Sequence, residues 1–113
     1  MVRTATIWVL TFLLWLPAYG QTKKYGPSVT DTEIKIGQTM PYSGPASAYA
    51  TCGISHQRFF KSINEQGGIN GRKISLISLD DEMTPPRTVD RVRRLVEQDK
   101  VLLLFGVLGP GAL

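Results

Sequence analysis

The residues that could do chemistry fall on a few short stretches of the chain. Ser43-Gly44-Pro45 offers a hydroxyl and a backbone that a ligand can approach closely, and Tyr49 adds an aromatic wall behind it. Asp80-Asp81-Glu82 puts carboxylates together, and carboxylates at a strand end attract hard cations such as magnesium. Gly67-Gly68-Ile69-Asn70-Gly71 has the glycines of a phosphate loop but not its Lys-Ser/Thr, and it precedes a strand where that motif precedes a helix, so it reads as a connection. Cys52 is the only cysteine, which rules out an internal disulfide framework. It falls with His56 on one apolar stripe. No motif supplies a nucleophile–base partner there, so a half-buried neutral imidazole and a small buried thiol are the expected roles. No catalytic constellation, cofactor motif or Cys/His metal spacing stands out.

These groups need elements to position them. Residues 33–40 carry Ile34 and Ile36 and read as a first strand. Residues 73–79, with Ile74, Leu76, Ile77 and Leu79, read as a second, and the apolar run 101–105 as a third. Continuous apolar runs suit strands of a parallel sheet covered on both faces. Between them the spacing predicts a helix over 49–65, with Tyr49, Cys52, His56, Phe59, Phe60 and Ile63 on its inner face. Gly67 and Gly68 supply its left-handed end. A second helix opens at Thr84-Pro85-Pro86, Thr84 being a candidate cap and Val89, Val92, Leu95 and Val96 the buried stripe. The order β-α-β-α-β implies right-handed crossovers and a parallel α/β sheet. Ligands of such sheets bind beyond the carboxyl ends of the strands, at 41–48, 80–86 and 106–113. A helix start after Ser43 adds free N–H groups suited to an anion.

The ends and the charge narrow the function. Arg3, an apolar run over 5–16, and small residues at Ala18 and Gly20 read as a cleavable export signal spanning residues 1–20. The run is shorter than the ~20 residues that cross a bilayer. Residues 21–28 read as a loose mature tail, and 29–113 as one small domain. The net charge of +4 is scattered, and Arg87, Arg91, Arg93 and Arg94 come without interleaved aromatics. Nucleic-acid binding is therefore not expected. Helix pairs four apart, Asp90 with Arg94 and Arg93 with Glu97, suit a solvated face instead.

From Val29 onward the chain resembles a type I periplasmic solute-binding protein of ABC importers, of the branched-chain amino-acid (leucine/isoleucine/valine-binding) class. The resemblance rests on Thr30 to Gly37, Ser43-Gly44-Pro45, Asn64 to Lys73, Asp80-Asp81, Pro85-Pro86 and Leu95 to Asp99, in that order and spacing. It implies the start of the N-terminal lobe of a bilobal fold that closes over a small solute, present here as an N-terminal fragment not competent alone. It also implies an inner-membrane ABC permease as partner, a periplasmic location and no enzymatic activity. Residue by residue, Ser43, Gly44 and Tyr49 fall on the ligand-facing loop. Gly109 and Gly111 fall where the family usually offers Ser or Thr hydroxyls; here the run is Gly109-Pro110-Gly111. A ligand-sensing receptor domain of the same fold is the alternative. More distant is a flavodoxin- or receiver-like, metal-dependent protein using Asp80 and Asp81.

Overall fold

Strand β1 (Glu33–Met40) alternates two environments, as a strand must. Ile34, Ile36, Gln38 and Met40 turn to one face of the sheet, and Lys35, Gly37 and Thr39 to the other. A computed structural model describes residues 24–109. The expected export signal at 1–20 and the positions of Pro110 and Gly111 lie outside the described residues.

A 3-10 turn (Ser47–Tyr49) leads from β1 into helix α1 (Ala50–Glu65), which is followed by strand β2 (Lys73–Asp80) and helix α2 (Pro85–Glu97). The strands pair in parallel, from Glu33 opposite Lys73 to Met40 opposite Asp80. The helices lie on opposite faces, each reaching the sheet through a glycine. A side chain at Gly53 of α1 would collide with Tyr42 and Met40, so only glycine lets that helix sit on β1. On the other face, a side chain at Gly37 would press on Leu95 of α2 and on Val101 at 3.1 Å. The apolar core is correspondingly thin: Ile36, Met40, Ile74 and Leu95.

The end of α1 is chemically determined. Gly68 N–H reaches the carbonyl of Ile63 at 2.9 Å and Gly67 N–H that of Asn64 at 3.2 Å, with φ of 76° and 104° at the two glycines. This nested pair satisfies carbonyls that the helix end leaves free. Asn64 then mimics a strand: its amide accepts from Ile74 N–H and donates to Ile74 C=O, both at 2.8 Å, on the outer edge of β2.

The structure departs from the sequence expectations in several places. The run 101–105 does not form a full third strand. It lies parallel along the free side of β1 through Leu102 N–H to Lys35 O (2.8 Å), Gly37 N–H to Leu103 O (2.9 Å) and Phe105 N–H to Gly37 O (2.7 Å). β1 is thus the central strand, while Leu102, Leu103 and Leu104 stay exposed because nothing among the described residues covers them. On α1, Tyr49, Cys52 and Phe59 are exposed; the helix turns Gly53, His56, Phe60 and Ile63 inward because Gly53 sets its closest approach. On α2, Val89 and Val96 are exposed, and Thr88 joins Leu95 in the buried set. Thr84 makes no side-chain cap. With Pro85 and Pro86 in the first turn, two N–H groups that would need a cap do not exist. Among the described residues the ion pairs are Arg87–Glu82, Arg94–Asp99 (3.4 Å) and Lys61–Glu65 (3.8 Å), not the expected pairs within α2. The described part of the tail is anchored: Arg72 Nη2 donates to Tyr25 Oη at 2.6 Å and its guanidinium lies 5.0 Å from the ring centre. Among the described residues, no helix is long and apolar enough to cross a membrane.

Candidate functional site

At the carboxyl ends of β1 and β2 the chain makes two turns that close on one carboxylate. Asp80, the last residue of β2, takes N–H bonds on Oδ1 from Tyr42 (3.0 Å), Ser43 (3.3 Å) and Glu82 (3.0 Å). Its Oδ2 accepts the Ser43 hydroxyl. Burial alone would raise the Asp80 carboxyl; the Ser43 hydroxyl and the N–H groups of Glu82, Ser43 and Tyr42 outweigh it and hold the group below its ordinary range. Asp80 is therefore an ionised carboxylate at the crevice, and it clamps the first loop (41–48) to the second (81–84).

Its neighbour works on the other side of the sheet. Asp81 is fully buried. Its Oδ1 accepts from Met83 N–H at 2.9 Å and its Oδ2 from the Thr88 hydroxyl at 2.7 Å. Between them these two carboxylates hold Glu82 and Met83 at φ of 51° and 55°. Successive left-handed residues without glycine are uncommon, and persist only where the surroundings determine them. With every oxygen of Asp80 and Asp81 already taken by a protein donor, the pair is built for loop geometry. Among the described residues no group of three or more His, Cys, Asp or Glu side chains is arranged to hold a metal.

The sequence-derived site residues are distributed as follows. Gly44 (φ 82°) lies against Glu82, where a side chain would touch Glu82 Cβ at 3.4 Å. Gly109 (φ 112°) lies against Met83, where a side chain would meet Cγ at 2.9 Å. The structure thus brings the loops bearing Ser43, Gly44 and Gly109 together around Glu82 and Met83. Tyr49 stands on the 3-10 turn, 56% exposed. Gly111 lies outside the described residues. Ser43 is exposed, but its hydroxyl hydrogen and its N–H both point to Asp80, which fills from within the anion position that the loop offers. A groove of about 400 Å³ lies elsewhere, on the flank between β2 and α1, lined by Gln57, Phe60, Asn64, Lys73, Ile74 and Leu76. Its position toward the amino end of β2, away from the carboxyl ends of the strands, separates it from this site.

Sequence reasoning passed over Gln38, Tyr42 and Ser78, which form a polar cluster under the first loop with His56. The signal was a polar residue at an inward strand position: Gln38 between Ile36 and Met40, and Ser78 after Ile74 and Leu76 on the same face.

Residues 33–113 match the family described as periplasmic binding protein. Over 78 residues the chain is 37% identical to an amino acid binding protein of Pseudomonas aeruginosa, covering 66% of this chain and 20% of that protein. A Leu/Ile/Val-binding protein homolog 7 of Brucella suis is 30% identical over 90 residues, 76% of this chain and 22% of its own length. Among solved structures, a substrate-binding periplasmic protein from Ralstonia solanacearum superposes with a TM-score of 0.64 at 33% identity, over 69% of this chain and 22% of that one. The branched-chain amino acid transporter substrate binding protein of Streptococcus pneumoniae, solved with isoleucine, superposes with a TM-score of 0.62 at 29% identity, over 66% and 22%. The chain spans about a fifth of the length of the curated relatives it matches.

Proposed function

Because this chain belongs to the periplasmic binding protein family, we propose that it serves as the extracytoplasmic solute-binding component of an ABC importer. The solute is an amino acid of the branched-chain type or a related small carboxylate-bearing molecule, passed on to an inner-membrane permease. The observation that carries this reading is the meeting of three loops at the carboxyl ends of the strands, where Gly44 abuts Glu82 and Gly109 abuts Met83. This is where open α/β sheets bind ligands.

Ser43, Gly44, Tyr49, Gly109 and Gly111 are proposed to face the solute. The Ser43 hydrogen is engaged by ionised Asp80. Its free lone pairs therefore suit a solute N–H donor, such as an ammonium, better than a carboxylate. The carboxylate would be met by backbone N–H groups at Gly109 and Gly111, Pro110 having none to give. Chemistry on the solute forms no part of this role. Export to the periplasm would follow cleavage after Gly20, and terminal sequencing of the periplasmic protein should begin at Gln21; an intact Met1 would refute that cut.

Calorimetry on the full-length, two-lobed protein, with leucine, isoleucine, valine, phenylalanine, their amides and their deaminated acids, tests the solute class. At least one amino acid should bind tightly. Ser43→Ala should weaken it by about 1–3 kcal/mol, since the solute loses the hydroxyl oxygen and ionised Asp80 loses its side-chain donor. No binding across the panel, or tight binding indifferent to Ser43→Ala, would overturn the assignment.

A further inference from the structure

Beneath the crevice runs a chain of hydrogen bonds whose direction can be worked out donor by donor. Gln38 is completely buried in β1. Its Nε2 lies 3.2 Å from Phe105 O and 2.6 Å from His56 Nδ1, and its Oε1 lies 3.1 Å from Ser78 Oγ. A carbonyl oxygen only accepts, so Phe105 requires the Gln38 amide nitrogen to face it; the flipped amide would set oxygen against oxygen. With that orientation fixed, the second Nε2 hydrogen goes to His56 Nδ1. Nδ1 is then an acceptor, and the proton of the neutral ring sits on Nε2. The Ser78 hydrogen is spent on Gln38 Oε1, so Ser78 accepts from the Tyr42 hydroxyl. Tyr42 in turn accepts from Gln57 Nε2 at 2.8 Å. The chain runs one way: Gln57, Tyr42, Ser78, Gln38, then His56 and Phe105.

We propose that Gln38 is a positioning residue for the solute crevice, joining the root of the third loop (105–109) to the first loop at Tyr42. This rests on the solute-binding reading given above. At the root of the third loop Phe105 N–H already donates to Gly37 O at 2.7 Å, and the Gln38 amide adds the bond to the Phe105 carbonyl. Phe105 meets His56 edge-on at 5.0 Å and Phe60 at 5.4 Å, contacts that fix a ring but not a backbone direction. Gly106 (φ 61°) passes directly over the pair: a side chain there would stand 3.1 Å from both Gln38 Nε2 and His56 Cε1. The Gln38–Phe105 bond is thus the side-chain tie, on the carbonyl side of Phe105, at the point where the chain leaves the sheet for the crevice. At the other end, Tyr42 immediately precedes Ser43, which Asp80 clamps. One buried amide that makes no solute contact therefore sets the spacing of two loops that flank the solute.

The test combines ring-nitrogen NMR, amide hydrogen exchange and, for solute binding, calorimetry, all on the full-length, two-lobed protein. In the unsubstituted protein the His56 ring should show the Nε2–H tautomer; an Nδ1–H ring would overturn the proposal without any substitution being made. Gln38→Met keeps the volume and removes the amide. Gln38→Glu keeps the shape and, when ionised, offers Phe105 no donor. Both should speed exchange at Phe105, whose N–H donates to Gly37 O, by about tenfold while leaving 82–84 unchanged. They should also weaken binding of whichever panel amino acid the parent protein holds. Wild-type protection of Phe105 in Gln38→Met, which has no donor, would mean that packing volume alone suffices, and the proposal would fail. Absence of any panel binding by the parent protein counts against the proposed function, whereas the tautomer and exchange results, which need no solute, decide the role of Gln38.

Discussion

The two faces of the sheet solve different problems. On the α2 face, Leu95 is completely buried and closes on Gly37 and Val101 by shape. On the α1 face Ile36, Met40 and Ile74 are buried too, but beneath the loops of the crevice the contact of β1 and β2 with the helix includes a directed polar chain: Gln38, Ser78, Tyr42 and His56. Apolar contact is non-directional and tolerates small shifts. A hydrogen-bonded chain does not, since each donor has one acceptor and a lost partner leaves a buried group unpaired. The comparison teaches where the molecule spends specificity: apolar packing keeps the sheet together, and directed bonds fix the loops that would meet a solute.

The hardest way to break the apolar face is Leu95→Ala. Removing a fully buried leucine should cost about 2–5 kcal/mol in urea unfolding, the larger values applying if the space against Gly37 cannot collapse. Next is Thr88→Val, which keeps the shape of a buried polar contact on the α2 face but takes the hydroxyl from buried Asp81. A loss of about 1–3 kcal/mol is expected. A neutral result would mean that Asp81 finds another donor.

Acid should sharpen the contrast between the two neighbouring carboxylates. Asp80 is held below its ordinary value of 3.8. The folded state then takes up the proton less readily than the unfolded state. The stabilisation is complete above that ordinary value and is lost as pH falls through the folded one. An acid titration of stability should show this loss, and Asp80→Asn should flatten that part of the profile; an unchanged profile would separate Asp80 from loop stability. The smallest effect is expected at Phe59, on the stripe that the sequence assigns to the core but 59% exposed here. Phe59→Ala should stay within about 0.5 kcal/mol in the same unfolding assay, as surface changes do.

How much of this was legible beforehand follows from the range of the forces involved. β1 over Glu33–Met40 stands where its residues place it, and β2 runs a single residue past its expected end, to Asp80. α2 opens at Pro85, because a ring-locked φ and a missing N–H suit a first turn wherever it occurs. α1 stops ahead of Gly67 and Gly68, because a left-handed residue without a Cβ ends a helix locally. The resemblance to periplasmic solute-binding proteins was legible for a similar reason, its motifs being turns and strand ends written in short runs. The crevice site was legible in part: Gly44 and Gly109 do lie against the second loop, but the partner that claims the Ser43 donors was not.

The sequence by itself determined the first two strands and the two helices, their order, the parallel pairing of the strands and the family, since periodicity, turn chemistry and motif order act over a few residues at a time. Only the tertiary structure decided which faces those elements bury and what the polar groups meet. Periodicity offers α1 a broad stripe, and the close approach of Gly53 to Met40 and Tyr42 selects the part that turns inward. Asp80 becomes a clamp because the fold carries the N–H groups of Tyr42 and Ser43 to it from the other strand's end. Gln38 becomes a tie to Phe105 only when the chain returns beside β1. The physical reason is common to all of these. A hydrogen bond or a close contact between residues far apart in sequence exists only at a distance and an angle, and those are set when the sheet and its helices come together.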